Sequence, residues 1–82
     1  MKKLIFLDPA VAALRKHRNA AERIVGKLAA YAENPAALAN QVTELRGLPL
    51  KRLRVGDYRV LFEETETEII VSDVGPRGSI YK

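Results

Sequence analysis

Eighty-two residues, 48% of them apolar and 29% charged, suffice for one small folded domain over residues 1–82 but leave little room for an enclosed substrate cavity. The chain has no cysteine, which removes disulfide frames and thiolate metal sites and fits a reducing cytoplasm; its lone histidine, His17, removes a catalytic histidine pair and a multi-histidine metal site. Net charge is +4, yet residues 63–73 hold five acids and no base, so the rest of the chain carries +9 and suits a polyanionic or acidic partner such as nucleic acid or an acidic protein.

Taken in order, Lys2–Leu7 reads as a first strand, too short for a signal peptide or a membrane span. Asp8-Pro9 then marks a helix start, with aspartate as the cap and proline at the first helical position. The helix is predicted to run to about Arg18, with Val11 and Leu14 inward, helped by Ala12 and Ala13. Arg15, Lys16, His17 and Arg18 crowd its last turn, where the helix dipole favours cations; a second RNA-contact patch is the competing reading. His17 among these bases is expected to be exposed and inert. Asn19 with Glu22 resembles a reciprocal cap for a second helix through about Glu33, whose stripe Ala21, Ile24, Val25, Leu28, Tyr31 and Ala32 is core at helical spacing. The short link makes the two helices an antiparallel hairpin packed on the sheet.

Asn34-Pro35 ends the second helix, and Pro35–Asn40 has room for one further turn. Gln41–Leu45 is ambiguous between an extended approach and a short helix, and Arg46–Pro49 is a turn. Leu50–Phe62, LKRLRVGDYRVLF, is two strands joined at Gly56-Asp57, a pair that suits a type II′ hairpin turn. That turn sets Val55 opposite Tyr58, Arg54 opposite Arg59, Leu53 opposite Val60 and Arg52 opposite Leu61. Strand alternation then gathers Leu53, Val55, Tyr58, Val60 and Phe62 on one apolar face and Arg52, Arg54 and Arg59 on the other. Like charges opposite one another destabilise a sheet. The arginines are either solvated side chains on an outer face or a cationic platform for a phosphate chain. The acidic run about Thr65-Glu66-Thr67 reads as a solvated hairpin tip that guards a sheet edge. Glu68–Val74 is a strand, apolar on both faces, which Gly75-Pro76 should break.

The order strand, helical hairpin, three-stranded antiparallel meander resembles the RelE/ParE superfamily of bacterial and archaeal toxins. The likeness is carried by LRGLP at Leu45–Pro49, RLRVGDYRVLFE at Arg52–Glu63 and IIVSDVGPRGSIY at Ile69–Tyr81. It implies an α+β fold in which the helices pack on one face of a four-stranded sheet. It is closer to the RelE branch, whose members cleave messenger RNA in the ribosomal decoding site, whereas ParE-like members inhibit DNA gyrase. Both kinds are held inactive by a cognate antitoxin, here expected to be acidic and to form a hetero-oligomer with the toxin in the cytoplasm. By position, Arg52 lies where RelE-type toxins carry a catalytic basic residue. Arg54 and Arg59 match the arginines of the LR-x-x-x-YR motif, Arg77 the arginine after the VG turn, and Tyr81 the tyrosine near the end. The resemblance thus implies Arg52, Arg59, Arg77 and Tyr81 as catalytic, with Lys51 and Arg54 as RNA-binding. Leu50 stands where some members have a further lysine. The chain stops one residue after Tyr81, so control by the C-terminal helix of some relatives must work otherwise.

The chemistry of these residue types is compatible with metal-free RNA cleavage. Arginines clamp phosphate bidentately and stabilise a phosphorane, but guanidinium is a poor proton carrier. Tyr81, or Tyr58 less readily, could shuttle a proton where surrounding cations favour its ionised form. No carboxylate cluster suggests bound Mg²⁺, and no cofactor or membrane is expected. Two readings stay open: a ribosome-dependent endoribonuclease, or a non-enzymatic binder, either a gyrase inhibitor or an inactive antitoxin-binding member.

Overall fold

A computed structural model describes residues 1–78. The elements follow as β1 (Lys3–Phe6), α1 (Asp8–Lys16), α2 (Arg18–Glu33), a 3-10 segment (Pro35–Gln41), β2 (Val42–Glu44), β3 (Lys51–Val55), β4 (Tyr58–Glu64) and β5 (Glu68–Pro76). The sheet has five strands, not four, in the order β1-β5-β4-β3-β2. β1 runs parallel to β5 and every other pair is antiparallel. The extra strand is the ambiguous stretch after the helices. Val42 and Thr43 are β-branched and pair with Leu53 and Arg52, which gives the segment a ladder too short to announce itself by periodicity.

Both helices lie on one face. Ala10, Ala20, Ile24, Leu28, Tyr31 and Ala32 form a continuous core with Leu53, Val55, Val60, Phe62, Ile69, Val71 and Val74. The expected stripe holds at Ile24, Leu28, Tyr31 and Ala32, but Val25 is exposed and Ala20 takes the buried place. In α1 the buried residue is Ala10, with Ala13 and Leu14 against the core, while Ala12 is exposed.

Neither helix is capped as the sequence suggests. Leu7, not Asp8, is the N-cap of α1. Its N–H completes the pairing with the Val71 carbonyl at 2.9 Å, and its own carbonyl accepts from Ala10 and Val11, so the strand passes directly into the helix. Asp8 instead sits in the first turn, where its charge complements the dipole. The link to α2 is His17 alone. Its N–H ends α1 on the Ala13 carbonyl and its carbonyl opens α2 by accepting from Ala20, each at 2.9 Å. Asn19 is therefore already helical and makes no cap with Glu22.

The β3–β4 register is the expected one, with Val55 opposite Tyr58 and Arg54 opposite Arg59. Gly56 has φ +57° and no non-glycine residue among the described ones has positive φ, which fits a II′ turn rather than I′. β5 outruns its expected end: Gly75 pairs with Arg59 and Pro76 with Tyr58. A proline at the last residue of a strand removes little from the ladder. β5 also carries a bulge. Leu61 faces Asp73 but Phe62 faces Val71, which leaves Ser72 as the extra residue. The bulge shifts the alternation, so Val71 and Val74 both point into the core.

The acidic segment is not merely a solvated tip. Glu64 turns to the helix side and accepts from Tyr31 Oη at 2.6 Å and from Lys51 Nζ at 2.8 Å, while Lys2 Nζ lies 2.9 Å from its other oxygen. Burial alone would raise the Glu64 pKa, but hydrogen bonds from Lys51, Tyr31 and Lys2 outweigh it and bring it from 4.5 to about 2. Tyr31 is shifted upward, first by burial and then by its hydrogen bond to Glu64 and the nearby carboxylates. A carboxylate with a depressed folded pKa stabilises the fold above its unfolded pKa and loses that contribution as pH falls through the folded value. Stability should therefore drop between pH 4.5 and about 2 by on the order of 3 kcal/mol from this group. In thermal melts across that range, Glu64→Gln should be less stable than the parent at neutral pH and should flatten the acid limb. A variant that keeps the parent's full acid dependence would show that other carboxylates carry it.

Candidate functional site

The face of the sheet away from the helices is built by the alternation of β2, β3 and β4. The pairing of Thr43 with Arg52 and of Val42 with Leu53, continued by one residue, brings Gln41 level with Arg54. Two rows then cross the sheet: Gln41, Arg54, Arg59 and Gly75, and beside it Thr43, Arg52, Leu61 and Asp73. Arg52, Arg54 and Arg59 meet in a cleft of about 150 Å³ whose other walls, among the described residues, are Asn40, Gln41 and Thr43. Every described residue of its lining is polar or charged.

Arg54 is exposed, while Arg52 and Arg59 are half-buried. Arg59 is held in place by its own strand: Nη1 donates to the carbonyls of Gly56 and Tyr58, each at 3.0 Å. One guanidinium nitrogen is thereby tied to backbone and the others remain for a ligand. Three cations on neighbouring strands repel one another unless an anion comes between them, so the cleft is complementary to a group with several negative oxygens. Asp73, which could have neutralised the arginines from β5, has one carboxylate oxygen engaged by the Val74 N–H at 2.8 Å.

Among the described residues, Arg77 and Lys51 stand apart from this group. Arg77 is exposed just past β5, where its N–H donates to the Asp57 carbonyl at 2.6 Å; it stands beside the hairpin turn and does not line the cleft. Lys51 faces the helix side, where it is paired with Glu64, because it lies one residue out of phase with Arg52. It is not available to the arginine face. Tyr81 lies outside the described residues. Tyr58 is also on the helix side. Its ring packs edge-on against His17 at 5.1 Å between centroids, with Oη 3.4 Å from His17 Nδ1. His17 is thus half-buried and engaged rather than exposed.

Asn40, Gln41 and Thr43 went unnoticed in the sequence because the ambiguous stretch could not be given a face. A strand assignment there would have placed Thr43 beside Arg52. A larger opening of about 370 Å³ lies on the helix side between the 3-10 segment and the Tyr31–Lys51–Glu64 cluster. Lys51 is paired there with Glu64, and Glu44 adds a second carboxylate, so it offers less to an anionic ligand than the arginine cleft. Among the described residues there is no group of three or more histidine and carboxylate side chains placed to hold a metal ion, and no helix is long and apolar enough to cross a membrane.

The fold and the sequence both have known counterparts. The archaeal RelE–RelB complex from Pyrococcus horikoshii OT3 contains a chain that superposes with a TM-score of 0.76 at 24% identity, over 95% of this chain and 97% of that one. The intact RelBE toxin–antitoxin complex of E. coli gives 0.72 at 28% identity, over 93% and 96%. YafQ from E. coli strain BL21(DE3) gives 0.73 over the full length of both chains, although only 11% of residues are identical. No curated protein matches the sequence. A family model does, from residue 4 to residue 81, and it describes the ParE toxin of the parDE type II toxin–antitoxin system. Matched over nearly its whole length, and sharing its architecture with RelE, the chain belongs to the ParE toxin family, a toxin of a type II toxin–antitoxin system within the RelE/ParE superfamily.

Proposed function

We propose that this toxin is a ribosome-dependent endoribonuclease that cuts messenger RNA in the cytoplasm and so stops translation. The observation that carries the reading is the convergence of Arg52, Arg54 and Arg59 on one open cleft. An open site on a bare sheet face suits a polymer held elsewhere, here by the ribosome, better than a small molecule that must be enclosed. In the cleavage step the 2′-oxygen of a ribose attacks the adjacent phosphorus as its proton leaves, the bond to the 5′-oxygen breaks, and that oxygen takes up a proton. The arginines hold the phosphate and stabilise the charge that grows on its non-bridging oxygens. Guanidinium stays protonated throughout, so proton transfer falls to another group. We assign it to Tyr81; Arg77, beside the hairpin turn, is a cation for the RNA chain outside the cleft.

The parallel with RelE–RelB and RelBE supports a cognate antitoxin as the partner, in a hetero-oligomer. A basic toxin body favours an acidic antitoxin segment over the arginine face, and the association rate should fall as salt is raised. A rate unaltered between low and high ionic strength would count against that placement.

A second reading, inhibition of DNA gyrase, draws on the ParE family match itself. Induction of the toxin separates the two. Primer extension on a translated message should reveal new cuts within codons only where ribosomes engage it. Intact messages together with gyrase-linked DNA breaks would replace the nuclease reading with the gyrase one.

Arg54 is exposed and makes the cleaner probe of the cleft. Arg54→Ala should lower cleavage by on the order of 10²-fold while leaving the thermal melt close to the parent's. Arg59→Lys should recover little of the loss seen in Arg59→Ala, because an ammonium cannot both hold two carbonyls and present a planar fork to phosphate. Tyr81→Phe should slow single-turnover cleavage with ribosome binding near normal. Cleavage at the parent's rate by that variant would remove Tyr81 from the chemistry.

A further inference from the structure

The arginine cleft has two unlike walls. β3 and β4 supply three guanidinium groups; the chain entering β2 supplies Asn40, Gln41 and Thr43. Guanidinium groups held on phosphate carry no sequence information, whereas the amide and hydroxyl wall offers donors and acceptors that can tell base edges apart. Asn40 and Thr43 are exposed at its rim, while Gln41 is half-buried and has a fixed orientation. Lys27, on α2, donates from Nζ to Gln41 Oε1 at 3.0 Å. An ammonium group has three donors and no acceptor, so the amide atom that faces it must be the oxygen. Oxygen and nitrogen are the two arms of one planar amide. With the oxygen turned to Lys27, the NH₂ arm is what Gln41 has left to offer the cleft.

We propose that Gln41, locked by Lys27, is a specificity-determining residue of this cleft and selects keto bases, uracil and guanine, over amino bases. The inference rests on the RNA-directed reading given above. A free glutamine can turn its amide over and serve a donor or an acceptor equally. The lysine removes that choice and leaves a donor. Uracil O4 and guanine O6 accept such a bond, whereas cytosine N4 and adenine N6 present N–H groups that leave it unpaired. Lys27 is thus a positioning residue and acts on substrate only through Gln41. The same contact joins α2 to the wall of the site across fourteen residues of sequence.

The test is binding of fluorescent oligouridine and oligocytidine of equal length to the intact chain, followed by anisotropy without ribosomes. The parent should bind oligouridine about fivefold more tightly, the size of one hydrogen bond gained or lost. Lys27→Met should bring the ratio towards one, and Lys27→Arg, which still offers only donors, should restore it. Gln41→Glu should reverse the ratio, because a carboxylate only accepts. Taking ratios cancels the loss of overall affinity from the altered charge. Equal binding of the two probes by the parent, binding of neither, or a ratio indifferent to Lys27→Met and Gln41→Glu overturns the inference. Ribosome-programmed cleavage keeps the two readings apart. A chain that prefers oligouridine but spares messages retains this inference and loses the nuclease one. A chain that cuts messages while binding both probes alike does the reverse.

Discussion

The structure depends on the register that the two-residue turn at Gly56-Asp57 imposes on β3 and β4. Because side chains alternate, a slip of one residue would carry the arginines into the core and Leu53, Val60 and Phe62 out to water. The buried apolar rows offset the cost of setting Arg54 against Arg59. That cost is further reduced by Arg59 folding back onto the Gly56 and Tyr58 carbonyls. On the other side of the turn the Arg23 guanidinium lies 3.3 Å from where a Gly56 Cβ would stand, so even this corner is flanked by cations.

The two faces of the sheet treat charge in opposite ways. On the helix side Glu64 meets Lys2 and Lys51, so a strongly basic chain neutralises part of itself where a charge would otherwise be stranded near the core. On the side away from the helices the described cleft walls hold three arginines and no carboxylate. Of the five acids of residues 63–73, Glu64 is turned away from the cleft and Asp73 has one oxygen occupied by backbone.

How much of this was legible in the sequence depended on how far apart the deciding residues lie. The hairpin was readable because alternation and turn chemistry act within thirteen residues, Leu50–Phe62. The arginine face followed from it, as did the core stripe at Ile24, Leu28 and Tyr31. β2 was not readable, since three residues carry no period and only its partner strand makes it extended. The helix caps failed for a related reason: Leu7 serves the sheet and α1 at once, and His17 serves two helices, so backbone geometry left no place for a side-chain cap. The Lys2–Glu64 and Lys27–Gln41 contacts join residues with no local signature at either end. Lys51, which the resemblance implies as RNA-binding, lies on the helix side, where the alternation that turns Arg52 and Arg54 outward also puts it.

The place of β5 between β1 and β4 has a consequence for how the chain is made. Among the described residues the first strand pairs with β5 alone, and the sheet cannot close until residues beyond Glu68 are available. Contacts between distant parts of a sequence form slowly, because the intervening chain must first be drawn together. During synthesis the helical hairpin and the β3–β4 pair can form early, but they wait with an open seam down the middle of the sheet. A sheet built this way closes only when residues 3–6 and 68–71, the pair of strands farthest apart in the sequence, are brought together.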